Sequence, residues 1–455
     1  MNSPGPNPKL AQSDNKSNSK RVRVIRIAFL LIFICILGLV TLVVVVSLSP
    51  PTGAWGADFL RDIVGPKPVA ILEAFVFTVQ DQIHQVLYRV KQVTPASPWV
   101  PSTPRPGTPL SINDQQSIST LILTSTAHRN LPNTPALENP AIYPMRGSKS
   151  TSERTIAEMT PAVAPTPIPT QILTQVPWIP GNIPPLGTMP DEGVWTPYIT
   201  APSNTIVAYK TFLQPDPKRP YVVMGIVAFD LSRIQLHNQL GLFEPDVPDK
   251  SLSTGQIPDA DLQPGVLLAA FNGGFKTLHG HYGIFVDGRE MIPAIDKMGT
   301  IAIYIDNTVR IGEWGKDLAY SPDMIVFRQN CPLMVRNGEI NPVVYNNSVN
   351  DWGGTFSGNI LTFRSGIGID QEGKTLYYFA GNPISMPILA EVMQHTGTYQ
   401  AMQLDINSYY VFFSKFEFRY DQWSAEPLLP KEMVDNIDRF LSPYPHDFFY
   451  ITVRQ

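Results

Sequence analysis

Cysteine is almost absent: the 455 residues hold two, Cys35 inside an apolar run and Cys331 far along the chain. The apolar run reads as a membrane segment, so Cys331 has no partner in its own compartment. Neither an intrachain disulfide nor a cysteine-based metal site is then available, and the fold must rest on its core. Charge is also scarce, at 16% of residues with a net of −4. The first 26 residues carry six Lys/Arg and one acidic residue, or +5, which leaves −9 for the remainder. A mildly acidic body excludes nucleic acid as a partner, because phosphate binding needs a basic face. Internal repeats are missing, and helical periodicity is rare in the distal half.

Proline is what the chain has in excess, 45 in all, about twice the usual share and unevenly spread. Residues 1–26 are rich in Ser, Asn, Pro and Lys and read as a disordered cytoplasmic tail. Residues 27–48 contain no charge, which is enough to span a bilayer as one helix. Lys20, Arg21, Arg23 and Arg26 precede it, and the first charge beyond it is Asp58. The positive-inside rule therefore predicts a single-pass protein of the cell membrane with its C-terminal part outside. A cleaved signal peptide is the rival reading, but Ser47-Leu48-Ser49-Pro50-Pro51 makes a poor cleavage site.

Residues 54–92 read as an amphipathic helical segment. Leu72, Phe75, Val76, Val79, Ile83, Val86, Leu87 and Val90 recur at steps of three and four. Few cations border that stripe, so packing on the distal domain or self-association through residues 69–90 is expected over a membrane-surface role. Residues 93–192 contain about twenty prolines among many Thr, Ser, Ala and Asn, and read as an extended linker. From residue 193 to 455 short apolar runs recur, at 205–212, 221–229, 266–271, 282–286, 300–305, 324–327, 360–363, 375–379, 401–404, 409–418 and 448–453. Helical spacing is clear only at 388–395 and 431–441. Many strands with few helices predict an α+β domain of mixed or antiparallel sheets, large enough for one core.

Chemistry gathers where the run 266–271 breaks at Asn272-Gly273-Gly274. Paired glycines permit positive φ and close approach to a ligand. Lys276, His279 and His281 follow, before a strand at 282–286 and the turn Asp287-Gly288. Two imidazoles at i and i+2 would face one way on a strand, but no third metal ligand is fixed by spacing, and none is assigned. Arg364 reads as leaving a strand into a Gly-rich turn, a setting suited to bidentate recognition of phosphate or carboxylate. Asp405 ends the run 401–404, where either a functional carboxylate or an Asx turn belongs. The stretch Arg328-Gln329-Asn330-Cys331-Pro332 reads as a turn.

Taken together, Asn272-Gly273-Gly274-Phe275, Gly283 to Gly288, Arg364 to Asp370 with Gly373, and the strand ending in Asp405 resemble the phosphodiester glycosidase family. The likeness covers roughly residues 209–405. It departs from the family in two places. Gly366 stands where the family has Ala, and Leu404-Asp405-Ile406-Asn407-Ser408 replaces a Leu-Asp-Gly-Gly-Gly-Ser turn. The resemblance implies hydrolysis of sugar–phosphodiester linkages in an envelope or exopolysaccharide glycan, without a cofactor. It implies Asp405 as the carboxylate, His279 or His281 as proton donor, and Lys276 and Arg364 on the phosphate. Asn272, Gly273, Gly274 and Asn407 would orient the substrate. The lost glycines leave open a non-catalytic glycan-binding or scaffold role on the same fold.

Overall fold

The computed structural model describes residues 63–91, 96–99, 178–346 and 360–454, with a few isolated positions before them. The expected membrane span and most of the expected linker lie outside the described residues. No helix among those described is long and apolar enough to cross a membrane. All the described residues belong to one compact unit.

Among the described residues eighteen strands form three sheets. The largest has eight, in the spatial order Thr196–Thr200, Ile206–Leu213, Met224–Asp230, Thr375–Ile384, Thr362–Ile369, Gln400–Gln403, Val335–Arg336 and Glu339–Ile340. Alternate residues of its central strands enter different cores. Val227, Phe229, Tyr378 and Ile367 face one apolar cluster, whereas Met224, Ile226, Tyr377 and Phe379 face another. Burial on both faces explains why these strands read as unbroken apolar runs. A five-stranded sheet, ordered Gln422–Pro427, Phe413–Arg419, Leu267–Asn272, Phe448–Val453 and Ile234–Gln239, covers the first face. Phe271 and Tyr378 meet across the layers with ring centroids 4.8 Å apart. The third sheet runs Arg289–Ile292, Ile284–Val286, Met324–Gln329, Gly299–Tyr304, Val309–Glu313. Every pairing between these strands is antiparallel, as connection by hairpins and short loops allows.

Among the described residues two α-helices are given with both ends: α1, Pro66–Lys91, and α2, Met386–His395. Ser385 caps α2, and Leu389, Val392 and Met393 close the second face of the large sheet. The helix expected at 431–441 does not form. Asn436 takes a φ of 52°, Ile437 gives its carbonyl to the Ser414 hydroxyl, and only a 3₁₀ turn, Arg439–Leu441, remains. Its apolar spacing served a packed loop, since Met433 and Phe440 are buried without a helix between them.

Helix α1 docks on the sheet domain. Val69 and Val76 are buried, and Tyr88 lies against Tyr221 with centroids 5.0 Å apart. Asp81 receives two Arg219 hydrogen bonds of 2.6 Å, and Asp216 takes a third at 2.8 Å. That fork, together with Gln85, holds the Asp81 carboxyl below its ordinary range. The docked edge takes in Val76 of the predicted stripe but leaves most of that stripe outside. Phe75, Ile83, Val86, Leu87 and Val90 stay exposed, together with Ile71. Beyond α1, the Trp99 indole donates to the Leu428 carbonyl at 2.7 Å and packs edge-on to Phe212. Helix and sheet domain therefore fall in one compact unit, as the expectation of packing on the distal domain allowed.

Candidate active site

Four strand ends converge where Leu267–Asn272, Met324–Gln329 and Gln400–Gln403 finish and Phe448–Val453 begins. The Asn272-Gly273-Gly274 loop fits against an ion pair between Arg328 and Asp447, both 1% exposed. Arg328 Nε donates to Asp447 Oδ2 at 2.9 Å, and its other nitrogens reach the carbonyls of Gln329 and Phe275. Gly273 donates to the Asp447 carbonyl at 3.0 Å and accepts from the Asp405 amide at 3.1 Å. A Cβ on Gly273 would lie 2.3 Å from Asp447 Oδ2, and one on Gly274 would lie 2.9 Å from an Arg328 nitrogen. These glycines make room for the ion pair, and neither takes positive φ. The paired glycines thus answer to a protein partner where a ligand was expected.

Asn272 is likewise a hub of the core. Its Nδ2 donates to Ser365 Oγ at 2.9 Å, and its Oδ1 accepts from the Tyr378 hydroxyl and the Phe412 amide. Ser365 Oγ donates onward to the Asp405 carbonyl at 2.8 Å. The site-facing residue of that strand is therefore Ser365, and its neighbour Arg364 points the other way. Arg364 lies inside the strand Thr362–Ile369, not in a turn after it, and is 1% exposed. It donates to the carbonyls of Ile384 and Ile360 and to Gln403 Oε1 at 2.7 Å. Burial lowers it to about 10. No carboxylate among the described residues meets it, and where a phosphate contact was expected the guanidinium is tied to neutral acceptors. Gly366 also has a packing reason: a Cβ there would lie 2.0 Å from the tip of Met393 on α2.

Asp405 is the ionisable centre of the site. It is 6% exposed, and its Oδ1 accepts from the amides of Ile406 and Asn407 at 2.7 and 2.9 Å. Burial pushes its carboxyl up to about 7, with Asp447 adding to the rise; the two amides and Lys276 oppose it. Lys276 lies 5.0 Å from the Tyr410 ring centroid, and Tyr410 stacks on His446 at 3.7 Å. His446 is buried, and desolvation with the nearby Lys276, His279 and Arg328 holds its imidazole well below the ordinary histidine range. The altered turn therefore supplies bulk: the rings of Tyr409 and Tyr410 meet edge-on with centroids 5.2 Å apart, and Ile406 packs against the second core cluster. Asn407 Oδ1 accepts from the Tyr409 amide at 3.0 Å and so shapes the turn.

The two loop histidines do not share a strand face. His279 ends the 3₁₀ turn Thr277–His279, and His281 is exposed with a φ of 50°. His279 joins the group around His446, whereas His281 sits at the loop surface. No cluster of three or more His, Cys, Asp or Glu among the described residues could hold a metal ion. Arg328, His446 and Asp447 carried no sequence signal strong enough to single them out: the first sat in a stretch read as a turn, the others before the last strand.

Residues 266–405 match the phosphodiester glycosidase family. The zebrafish N-acetylglucosamine-1-phosphodiester alpha-N-acetylglucosaminidase catalytic domain, auto-inhibited by its pro-peptide, is 15% identical, with a TM-score of 0.37 over 56% of this chain and 86% of that one. A hypothetical protein from Synechocystis is 10% identical, with a TM-score of 0.30 over 57% and 64%. A putative exported protein from Burkholderia pseudomallei is 12% identical, with a TM-score of 0.29 over 50% and 74%. No curated protein matches by sequence. The stretch that builds the Asp405 site thus resembles the phosphodiester glycosidases, by family match as well as by its motifs.

Proposed function

We propose that the protein hydrolyses a sugar–phosphodiester linkage at Asp405. The observation that carries this reading is a buried carboxyl raised to about 7 beside Lys276. Cleaving the bond between the sugar's C1 and the phosphate oxygen expels a phosphomonoester, an acidic leaving group that needs little protonation. The demand falls on water activation and on the positive charge at C1. Ionised Asp405 takes the proton of the attacking water, and Lys276 holds the phosphate. Its ammonium offsets the phosphate charge where bulk water is excluded. Neutral His446 and Tyr410 wall the site. The rate should rise with pH as Asp405 ionises through about 7. An assay of the full chain against a panel of sugar-1-phosphodiesters tests it. Sugar release that vanishes in Asp405→Asn supports the reading, and no release from any member, with glycan binding intact, overturns it. The latter result would select a binding role, which the core-bound Asn272 and Arg364 side chains favour.

Residues 27–48 are proposed to anchor the chain in the cell membrane with the sheet domain outside, on the charge asymmetry of the sequence. The exposed apolar row of α1 is proposed to pair with a second copy. Lys67, Arg89 and Lys91 sit only at the helix ends, whereas a membrane-surface helix carries cations along its polar face. Val86→Glu with Val90→Glu should shift the detergent-solubilised protein from dimer to monomer in sedimentation. An unchanged dimer, or a monomer at the outset, would refute the pairing.

A further inference from the structure

A cleft of about 510 Å³ opens between the strand Ile234–Gln239, the loop 250–259 and the third sheet. Its volume suits a small ligand. None of Asp405, Lys276, His279 or His446 lines it. The two places are linked through one strand: Asp447 precedes Phe448–Val453, and Tyr450 of that strand lines the cleft. Three residues of strand put them about 10 Å apart.

Its chemistry differs from that of the Asp405 site. Among the described residues no lysine or arginine is on the lining, while Asp259 and Asp287 are. Asn238 is 8% exposed, and its Nδ2 donates to the Phe448 carbonyl at 3.4 Å. Its Oδ1 has no hydrogen-bond partner among the described residues. A buried acceptor without a donor calls for one from outside. Tyr450 is held in place, its hydroxyl on Asp261 at 2.7 Å and its ring flat against His237 at 4.5 Å. Leu252, Pro258 and Ile325, none of them fully buried, add an apolar surface. The ligand must therefore bring O–H or N–H donors, bear no negative charge, and present C–H surface. Phosphate and uronate fail the second condition, because two carboxylates would face them with no cation to compensate. A pyranose ring meets all three.

We propose that this cleft is a second binding site, for an uncharged segment of glycan. Its hydroxyls bond Asn238, Asp259 and Asp287, and its ring packs on the apolar wall. Binding here does not rest on hydrolysis at Asp405. The test titrates cellobiose and N,N′-diacetylchitobiose into the full chain in detergent, followed by calorimetry. Saturable binding of either disaccharide is expected, weakened at least ~10-fold by Gln256→Trp, which fills the mouth from an exposed position. It should be unchanged in Asp405→Asn and not displaced by inorganic phosphate. Should Gln256→Trp lose its native circular dichroism, Asp259→Ala serves in its place with the same expected loss. No saturation with either sugar, binding indifferent to the cleft variants, or displacement by phosphate overturns the assignment. Because no turnover is read, any of these leaves the Asp405 reading standing.

Discussion

At the scale of single residues, Asp405 carries an energetic signature as well as a chemical one. Its carboxyl titrates near 7 when folded and near 3.8 as an isolated group. Between those values the folded chain keeps a proton that the unfolded chain releases, so stability falls as pH rises from about 4 to 7 and stays lowered above. Asparagine removes the charge and retains an oxygen for the Ile406 and Asn407 amides. Asp405→Asn should therefore raise the melting temperature at pH 8, by roughly 5 °C or more, with little gain near pH 4. Sugar release should fall by several orders of magnitude in the same variant. Equal melting curves at both pH values would show that the carboxylate is better solvated than its burial implies. Asp447 behaves oppositely. Asp447→Asn leaves Arg328 buried without its counter-charge and should cost about 3–5 kcal/mol in denaturant unfolding, along with the shape of the glycine loop.

At the scale of elements, most strands were legible because apolar runs betray sheets buried on both faces. What sequence could not settle was register and direction. Arg364 looked like the chemical residue of its strand, yet a one-residue alternation gives the site Ser365 and gives Arg364 to the core. The glycine pair was visible, but its partner Asp447 lies 173 positions away from Gly274 and leaves no local trace. Asp405, Lys276 and Asn272 stood out in sequence because each terminates or follows an apolar run; His446 and Arg328 had nothing comparable. The apolar spacing of α1 predicted a helix correctly, while the docking edge was chosen by polar residues, Asp81 above all. Asp81→Ala should loosen that edge by about 3 kcal/mol and speed amide hydrogen exchange across Pro66–Lys91, leaving exchange in the Leu267–Asn272 strand unchanged. Equal protection of the helix in both proteins would mean that Val69 and Val76 hold it alone.

At the scale of the whole molecule, contacts on both sides of the proline-rich stretch fall on one body. Trp99 is fixed to Leu428, and Trp178 packs against Tyr209 with centroids 5.7 Å apart. A protease cut within 101–176 should therefore yield two pieces that travel together through native chromatography and separate in denaturant. Asp81→Ala should let them part without denaturant. Pieces that separate at once in the unaltered protein would show that α1 docks only while covalently tied.

The same docking fixes a length. With residues 27–48 in a bilayer, only residues 49–65 connect the lipid to α1, and α1 is already part of the body. Seventeen residues fully extended reach no more than about 60 Å. On the proposed anchoring, the body would patrol a shallow layer over the lipid surface, on a short leash, however many residues lie between Trp99 and Trp178. On the proposed activity, its substrate would have to come within that layer, which would make membrane-proximal polymer the material it meets first.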